Sequence, residues 1–193
     1  MTPKHASDLQ LATRVAEGDE SAATEMFQAL AGEMFGFARK MVGDEATAED
    51  VLQDAMIGVL RAAGKYDGRI SLRAYAFSIL RNKVTDVFRK RGREILVSSA
   101  DPERDSFLAS GHWENSKFQP FNEQAELLGI VQRCMEALPI HQREALELRA
   151  IEGLSSQEAA EVLGVSSDNL RQILHRGRAS VRKCADAKYE GAA

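Results

Sequence analysis

The amino-acid sequence predicts an all-α protein in which two small helical domains are joined by a flexible acidic linker. Of its 193 residues only 6% are aromatic, and Val, Ile and Thr are sparse beside Ala, Leu, Glu and Arg, which favours helices over sheets. Apolar residues recur at three- and four-residue steps in 1–93 and in 123–193. Residues 94–122 lose that pattern, and a structureless loop of about thirty residues would be unusual inside one compact domain.

The first two helices of the N-terminal domain are predicted from their ends. Asp19 is the expected N-cap of the first helix and Gly43 its end. The second helix is expected to begin near Thr47, which with Asp50 forms a variant of the capping box that has Asp in place of Glu. The apolar positions of the first helix are Ala23, Phe27, Leu30, Met34, Phe37 and Met41.

The second helix has two distinct faces. Its polar face carries Asp50, Gln53 and Asp54, opposite a complete apolar stripe. On the residues alone, a solvated surface is the simplest interpretation of that face. The apolar stripe comprises Val51, Leu52, Ala55, Met56, Val59, Leu60 and Ala63.

A third helix is predicted from about Leu72 to Lys90, with Tyr75, Ile79 and Val84 in its buried face. It runs into a basic cluster, because residues 81–93 carry six Lys or Arg side chains and one acid. The linker that follows is acidic and rich in Ser, Asp, Asn and Pro. Its aromatic residues are surprising in a simple spacer and indicate that it docks on another surface; they are Trp113, Phe118 and Phe121.

Two helices are predicted to open the C-terminal domain. The first begins at Glu123, and Pro139 suits the first turn of the next because its missing N–H would have no partner there. That second helix is expected to reach Ile151 and to stop at Gly153. The apolar stripe of the first helix comprises Leu127, Leu128, Val131, Met135 and Leu138.

The strongest local signal is a helix-turn-helix. Ser155 and Glu158 form a capping box that starts a helix at about Ser156, which ends at Leu163. Gly164 supplies a left-handed C-cap, and Ser166 caps the second helix. Small Ala159 and Ala160 allow close approach of the two helices, and the wedge between them is filled by Leu163, Val165, Leu170 and Ile173.

The second helix of this motif has an apolar inner face and a basic outer face. No acid occurs from Arg171 to Lys183. Asn, Gln and Arg side chains can hydrogen-bond to base edges in the major groove, and arginines also neutralise phosphates. The outward or flanking residues are Asn169, Arg171, Gln172, His175, Arg176 and Arg178.

Catalysis, metal binding and membrane insertion have little support. His5, His112, His141 and His175 are isolated, and no common catalytic motif occurs, so neither an enzyme nor a cofactor is expected. Cys134 and Cys184 have no metal-ligand spacing and are expected to be reduced in a cytosolic chain, with a regulatory disulfide as the alternative. No stretch has the length and apolarity of a signal peptide or a membrane span, which predicts a soluble cytoplasmic protein.

Taken together, these parts resemble a bacterial RNA polymerase sigma factor of the extracytoplasmic-function (ECF) group. Three stretches carry the resemblance: AEDVLQDAM at 48–56, ILRNKVTDVFRKRGR at 79–93, and the long stretch from Leu138 to Arg178. The resemblance implies that the two domains correspond to sigma domains two and four. It also implies the function of an alternative sigma factor that directs core RNA polymerase to promoters.

The resemblance assigns roles to particular residues. The face of Asp50, Gln53 and Asp54 would dock on the clamp helices of the largest polymerase subunit, and the beta subunit is a further partner. A flipped base of the −10 element would lie near the loop at 66–71. The −10 contacts would be Asn82, Lys83, Asp86, Arg89, Lys90 and Arg93, and the −35 contacts would be Ser167, Asn169, Arg171, Gln172, His175, Arg176 and Arg178.

Some positions depart from the family pattern. Tyr75 stands where tryptophan is common and Ala76 where a larger apolar residue is common, while Asn169 and Ile173 replace a frequent threonine and arginine. The acidic linker would thread toward the RNA channel of polymerase. An anti-sigma factor, membrane-bound or soluble, is an expected partner, and the free protein is expected to be a monomer.

Two other functions remain open from the residues alone. One is a free-standing helix-turn-helix regulator, which should be a dimer if its operator is two-fold symmetric. The other is a small metal-dependent nuclease that uses Asp50 and Asp54. The overall net charge of −4 argues that the chain binds DNA weakly by itself, because affinity rises with the number of phosphates neutralised.

Overall fold

The computed structural model describes residues 5–98 and 123–190, with side chains described for 5–91 and 127–188. The described chain is helical, with turns between the helices, as the sequence predicts. The helices are α1 (Ala6–Ala16), α2 (Glu20–Val42), α3 (Glu45–Ala62), α4 (Leu72–Ser98), α5 (Glu123–Glu136), α6 (Ile140–Leu146), α7 (Ser156–Leu163) and α8 (Ser167–Glu190). A 3₁₀ turn at Ala63–Lys65 extends α3, and a π-helical turn at Glu147–Ile151 extends α6.

The ends of α2 are those that the sequence predicts. The Asp19 carboxylate accepts a hydrogen bond of 3.0 Å from the backbone N–H of Ala22, and Gly43 ends the helix with a φ of +90°. The apolar stripe begins one position earlier than expected, because Ala22 and Met26 are buried whereas Phe27 is 48% exposed. The predicted pair, Ala23 and Phe27, and the observed pair, Ala22 and Met26, are equally apolar in the sequence. The packing of the first turns of α2 decides which pair is buried. From Leu30 onward the predicted residues are buried.

The start of α3 differs from the prediction. Asp44 is the N-cap, and its carboxylate accepts a 2.8 Å hydrogen bond from the N–H of Thr47. Thr47 is therefore the third residue of the helix and not its cap. Asp and Thr both favour the N-cap, so the sequence offers two starts three residues apart. The structure also adds α1, which the sequence analysis did not predict.

Helix α4 contributes the centre of the N-terminal core. Phe77 is fully buried, and its ring meets that of Phe37 edge-on with centroids 5.4 Å apart. Val84 is buried as predicted, but Tyr75 and Ile79 are only half-buried. The helix continues to Ser98, past the predicted end at Lys90. Residues 99–122, which include the linker aromatics, lie outside the described residues.

The helix-turn-helix prediction is confirmed at its caps and its turn, whereas Val165 and Ile173 of the predicted wedge are only half-buried. Ser155 and Glu158 form both hydrogen bonds of the capping box at the start of α7. Gly164 ends α7 with a φ of +67°, and the Ser166 hydroxyl accepts a hydrogen bond from the N–H of Asn169 at the start of α8. Pro139 is the N-cap of α6, one position earlier than the first helical turn.

Two expectations for α5 are wrong. Leu127 and Leu128 are exposed, and the buried residues of the helix are Ile130 and Cys134; Leu138, just after it, is buried as predicted. Cys134 is bonded to Cys184 of α8 rather than reduced. The periodicity of each helix alone does not reveal that α5 packs along α8, which brings together two residues separated by 50 positions.

The two halves of the chain are in direct contact through α4 and the C-terminal helices. Buried apolar residues of both halves, including Phe77 of α4 and Val162 of α7, belong to one cluster. Polar contacts surround this cluster, and two of the acids that make them, Glu144 and Glu147, are almost fully buried. The Glu144 side chain is 2% exposed and lies 3.2 Å from Arg81 Nε; Glu147 lies 3.2 Å from Lys40 Nζ.

Candidate protein-binding and nucleic-acid-binding surfaces

The polar face of α3 is free of the core. Asp50, Gln53 and Asp54 are all exposed, at positions that the helical period places on one side. The Asp54 side chain is 67% exposed and lies 3.7 Å from Lys83 Nζ of α4. An exposed acidic face beside a packed stripe can bind a basic surface of a protein, since the exposed pair of Asp54 and Lys83 contributes little to the fold.

The outer side of α4 is basic and exposed over its middle turns. Asn82 and Asp86 lie one turn apart and are exposed, as are Arg89 and Lys90. Arg89 is 71% exposed and pairs loosely with Asp86, with 3.4 Å between Nη1 and Oδ1. Such a row can contact a phosphate backbone and offer hydrogen bonds to bases. Arg93 is on the same helix, but its side chain lies outside those described.

Two basic residues of the 81–93 run are used inside the fold. Arg91 donates to the carbonyl of Val42 at 3.2 Å and to the Asp44 carboxylate at 2.8 Å, so it joins α4 to the turn between α2 and α3. Hydrogen bonds from Thr47, together with the contact to Arg91, lower the pKa of the Asp44 carboxyl. Arg81 faces Glu144 of the other half. A count of charges along the sequence does not separate these structural arginines from exposed ones.

The second helix of the helix-turn-helix presents its polar side to solvent. Leu170 and Leu174 are buried, and Gly177 allows close approach of α6, because a Cβ there would lie 3.1 Å from Leu146 Cδ1. Arg171 lies 3.1 Å from Asp168, and Arg176 donates to Gln172 at 3.2 Å. The exposed residues include all those predicted to read DNA, namely Ser167, Asn169, Arg171, Gln172, His175, Arg176 and Arg178.

The loop before α4 lies against the C-terminal half. Tyr66 is buried and donates a 2.6 Å hydrogen bond to the carbonyl of Ile70, and burial raises the pKa of its phenol. Ser71 donates to Glu158 through its N–H at 3.3 Å and through its hydroxyl. Glu158 therefore closes the α7 capping box and also holds this loop. The sequence signal for Glu158 identified only the first role.

The ionisation of the interface acids follows from their surroundings. Burial alone would raise the pKa of Glu158, but hydrogen bonds from Ser71 and Ser155 lower it to about 2. For Glu144, burial dominates and raises the pKa, although Arg81 acts in the opposite direction. Burial likewise raises the pKa of Glu152, whose carboxylate lies 2.9 Å from Arg73. The interface between the halves is thus both charged and partly desolvated.

An open groove of about 1350 Å³ lies between α5, α6 and α8. Sequence reasoning did not find it, because it depends on how α5 packs along α8. In the described parts of the chain, no cluster of His, Cys, Asp or Glu could hold a metal ion, and no helix is both long and apolar enough to cross a membrane. The apolar lining includes Leu128, Val131, Met135, Leu146, Ile151, Leu170, Leu174 and Val181.

Comparison with known families gives two matches along the chain. A model of Sigma-70 region 2 matches residues 26–94, which cover α2 to α4. A model of Sigma-70, region 4 matches residues 128–181, which cover most of α5 and the helix-turn-helix.

Individual proteins are similar over nearly the whole chain. The RNA polymerase sigma factor CnrH of Cupriavidus metallidurans is 30% identical over 192 residues, which are 98% of this chain and 100% of that protein. The ECF RNA polymerase sigma factor SigM of Bacillus subtilis is 27% identical over 80% of this chain and 89% of its own.

Two solved structures share the fold. That of CnrH in complex with the cytosolic domain of CnrY has a TM-score of 0.67 at 25% identity and covers 94% of this chain and 98% of that one. That of the sigma factor RpoE in complex with the anti-sigma factor NepR, from Bartonella quintana, has a TM-score of 0.68 at 23% identity, over 84% and 96% of the two chains.

Proposed function

Because this chain belongs to the sigma-70 family and is an ECF RNA polymerase sigma factor, we propose that it recognises promoters through the exposed surfaces of α4 and α8 and binds polymerase through that of α3. The observation that carries the proposal is the exposure of the acidic face of α3, the basic side of α4 and the polar side of α8 in one chain. Each surface suits a different partner. The proposed domains are 1–93 and 123–193, with 94–122 as the linker.

The face of Asp50, Gln53 and Asp54 is proposed to bind the clamp helices of the largest polymerase subunit. Its three side chains can accept or donate hydrogen bonds without loss of any buried contact of α3. An acidic face on an acidic chain is unsuited to DNA, which supports a protein partner. The beta subunit of polymerase is the proposed second contact of the complex.

The −10 element is proposed to bind along α4. Lys83, Arg89 and Lys90 provide cations for phosphates, and Asn82 and Asp86 provide hydrogen-bonding groups one turn apart. Arg93 is the sixth proposed contact. The loop at 66–71 precedes this row, and its Ser71 is bonded to Glu158 when the halves are in contact.

The −35 element is proposed to bind as duplex along the N-terminal part of α8. Arg171 and Arg176 have the paired donors suited to guanine, and Asn169 and Gln172 have the donor and acceptor suited to adenine. Ser167, His175 and Arg178 complete the surface. Small Gly177 keeps α8 tight on α6, so these side chains project from a rigid element.

The contact between the halves is proposed to be a state of the free protein. The −10 and −35 elements are centred about 25 base pairs apart, or roughly 85 Å at 3.4 Å per pair. Two halves that touch through α4 and α7 do not span such a distance, so promoter binding requires them to separate. Beside its apolar contacts the interface contains the buried Glu144 and Glu147, which favour separation because both acids regain water.

An anti-sigma factor is the proposed regulator. The relative RpoE is solved with an anti-sigma factor, and CnrH with the cytosolic domain of CnrY. A regulator that stabilised the contact between the halves would hold this chain away from promoters. The proposed location is the cytoplasm, where polymerase and promoter DNA are, and the chain is proposed to be a monomer that acts without catalysis or cofactor.

Transcription with purified core polymerase tests the proposal. Genomic fragments are transcribed with core alone and with core plus the full chain, and new transcript starts are sequenced. Starts that depend on the chain and share −10 and −35 motifs support the proposal. Core binding without new starts, or a stable free dimer that binds a two-fold site without polymerase, would contradict it.

A further inference from the structure

Cys134 of α5 and Cys184 of α8 are covalently paired across the C-terminal half. Their Cα atoms are 5.8 Å apart, although 50 residues separate them along the chain. Cys134 is 1% exposed, whereas Cys184 is half-buried near the C-terminal end of α8. A pair at this spacing can be bridged without movement of the backbone. The proposed promoter-binding surfaces do not use either cysteine.

The attachment of α5 to the rest of the chain depends on few side chains. Among the described residues of α5 only Ile130 and Cys134 are buried, and the next buried residue, Leu138, lies after the end of the helix. Leu128, one of the large apolar residues in the first half of α5, is 69% exposed. A helix with so short a buried row gains little stability from packing, so one covalent link is a large part of what holds it.

The cysteine pair joins two helices that form walls of the apolar groove. Val131 and Met135 line it from α5, on either side of Cys134. Val181 and Ala185 line it from α8, on either side of Cys184. Separation of α5 from α8 would therefore remove one wall of the groove.

We propose that Cys134 and Cys184 form a thiol–disulfide switch that fastens α5 to α8 when oxidised and releases α5 when reduced. The proposed oxidant is a small-molecule disulfide such as oxidised glutathione. The thiolate of the more accessible Cys184 attacks one glutathione sulfur, which forms a mixed disulfide and releases one glutathione thiolate. The thiolate of Cys134 then attacks the Cys184 sulfur, closes the bond and releases the second glutathione thiolate.

The electrons and protons of this exchange balance. Two protein thiols lose two electrons and two protons, and one glutathione disulfide gains them to become two thiols. Reduced glutathione or a dithiol reverses both steps. In the cytoplasm the chain would meet both agents, so the state of the pair would follow the thiol balance of the cell.

The DNA-facing part of α8 is held independently of the switch. Leu170 and Leu174 are buried, and Gly177 packs on Leu146 of α6, all more than one turn before Cys184. Release of α5 leaves these contacts in place. The switch therefore acts on α5 and the groove. Arg171, His175 and Arg178 of the proposed −35 surface also line that groove, but the part of α8 that carries them keeps its buried contacts.

Hydrogen exchange of the full chain in glutathione buffers tests the switch. The fraction of bonded cysteines is measured by alkylation and mass spectrometry at each ratio of oxidised to reduced glutathione. In the oxidised chain, α5 amides are expected to exchange at least about tenfold more slowly than in the reduced chain. Exchange in α7 serves as the internal control and should change by less than twofold.

Two variants separate the bond from the loss of buried sulfur. C184S keeps Cys134 in the core, and C134S/C184S removes both thiols; in each, α5 should exchange like the reduced wild-type chain at every glutathione ratio. Equal α5 exchange in oxidised and reduced wild type would overturn the proposal. So would glutathione bound to single cysteines with no internal bond, or a bond that excess dithiol does not open in the folded chain.

A second measurement, of DNA binding, rests on the proposed function. Affinity of the full chain for a −35 duplex should be the same within twofold in both redox states. A large redox effect would contradict the assignment of the switch to α5. Because the acidic chain is expected to bind DNA weakly, the titration is made at low salt. No binding there in either state would count against the proposed −35 surface alone, because hydrogen exchange tests the switch without DNA.

Discussion

Lys83 Nζ lies 3.7 Å from the Asp54 carboxylate, so the surface proposed for polymerase and the surface proposed for the −10 element touch each other. Asp54 is on α3 and Lys83 on α4, and both side chains are accessible to water. An exposed pair of this kind contributes about 0 to 1 kcal/mol. Either partner can therefore leave the pair for a new one at little cost.

Charge reversal at Asp54 is expected to weaken binding to core polymerase. Asp54→Lys removes one acid from the α3 face and places a like charge beside Lys83, whose exposure limits the damage to the fold. The dissociation constant for core, measured by fluorescence anisotropy, should rise at least about tenfold, while binding of the full chain to a −35 duplex stays within twofold.

Glu161→Lys is the matched control for that experiment. Glu161 is an exposed acid on α7, and its reversal changes net charge by the same amount without touching α3. The affinity of Glu161→Lys for core polymerase should equal that of wild type. Equal losses for both variants would show that net charge alone determines the affinity, and the local role of Asp54 would then be wrong.

Arg89 and Arg91 are expected to have opposite roles, although both belong to the same basic run. Arg89→Ala should weaken binding to a −10 fork template and lower the salt dependence by about one unit of slope, with an unchanged melting temperature. Arg91→Ala should instead lower the free energy of unfolding by about 1 kcal/mol, because it removes hydrogen bonds to Val42 and Asp44.

Thermal unfolding and fork-template titrations of both variants decide the assignment. A melting temperature that falls with Arg89→Ala but not with Arg91→Ala would reverse the two roles. Loss of DNA affinity in Arg91→Ala at a temperature where it is fully folded would place Arg91 in the DNA surface as well.

Local signals in the sequence predicted local features correctly. The caps Asp19 and Ser155 and the left-handed Gly43 and Gly164 are where the sequence places them, because each depends on backbone geometry within a few residues. The exposed residues of α8 followed from the helical period. Where two starts or two registers were equally good locally, as at Thr47 and Asp44, the choice depended on packing.

Features made by contacts between distant residues were not predictable in this way. The pairing of Cys134 with Cys184, the double role of Glu158 and the use of Arg81 against Glu144 each join elements far apart in sequence. No propensity or period encodes such contacts. The groove was missed for the same reason, since its walls come from three helices.

Arg171→Ala is expected to weaken −35 binding by about 1 to 3 kcal/mol if the guanidinium contacts a base. The loss should be greatest for the preferred duplex and small for unrelated DNA, which a competition titration measures. Arg39→Ala is a matched control, since Arg39 is an exposed arginine of the N-terminal half, 3.7 Å from Glu45. A uniform loss over all duplexes would reassign Arg171 to a phosphate contact.

Arg81→Ala is expected to open the contact between the halves. It leaves the 2% exposed Glu144 carboxylate without its cation, and an uncompensated buried charge costs several kcal/mol. Small-angle scattering should report a larger radius of gyration than for wild type at neutral pH. Burial raises the pKa of Glu144, so a lower pH should protonate it and restore the compact form.

A variant that stays compact at neutral pH would mean that the apolar contacts suffice without this ion pair. Arg39→Ala again serves as the control and should not change the scattering, because both members of its pair are largely exposed. Opening in Arg39→Ala would indicate a general effect of lost positive charge.

Glu158→Gln is expected to lower stability in a pH-dependent way. Gln keeps the size of the side chain, but the change removes the charge and one of the two oxygens that accept from Ser71 and Ser155. The pKa of Glu158 is lowered to about 2 from an ordinary 4.5, so its contribution is present above about pH 4.5 and is lost as pH falls toward 2. After allowance for solvent screening, it amounts to about 1 kcal/mol.

Urea unfolding of wild type and Glu158→Gln at pH 7 and pH 3 measures this contribution. The difference between the two chains should be about 1 kcal/mol at pH 7 and less than half of that at pH 3. Glu161→Gln, an exposed acid on the same helix, should match wild type at both values. Comparison within each pH removes the effect of other carboxylates, among them Asp19 and Asp44, whose pKa values are also lowered. A difference that grows as pH falls would mean that Glu158 is protonated in the folded chain, and its hydrogen bonds to Ser71 would then need another explanation.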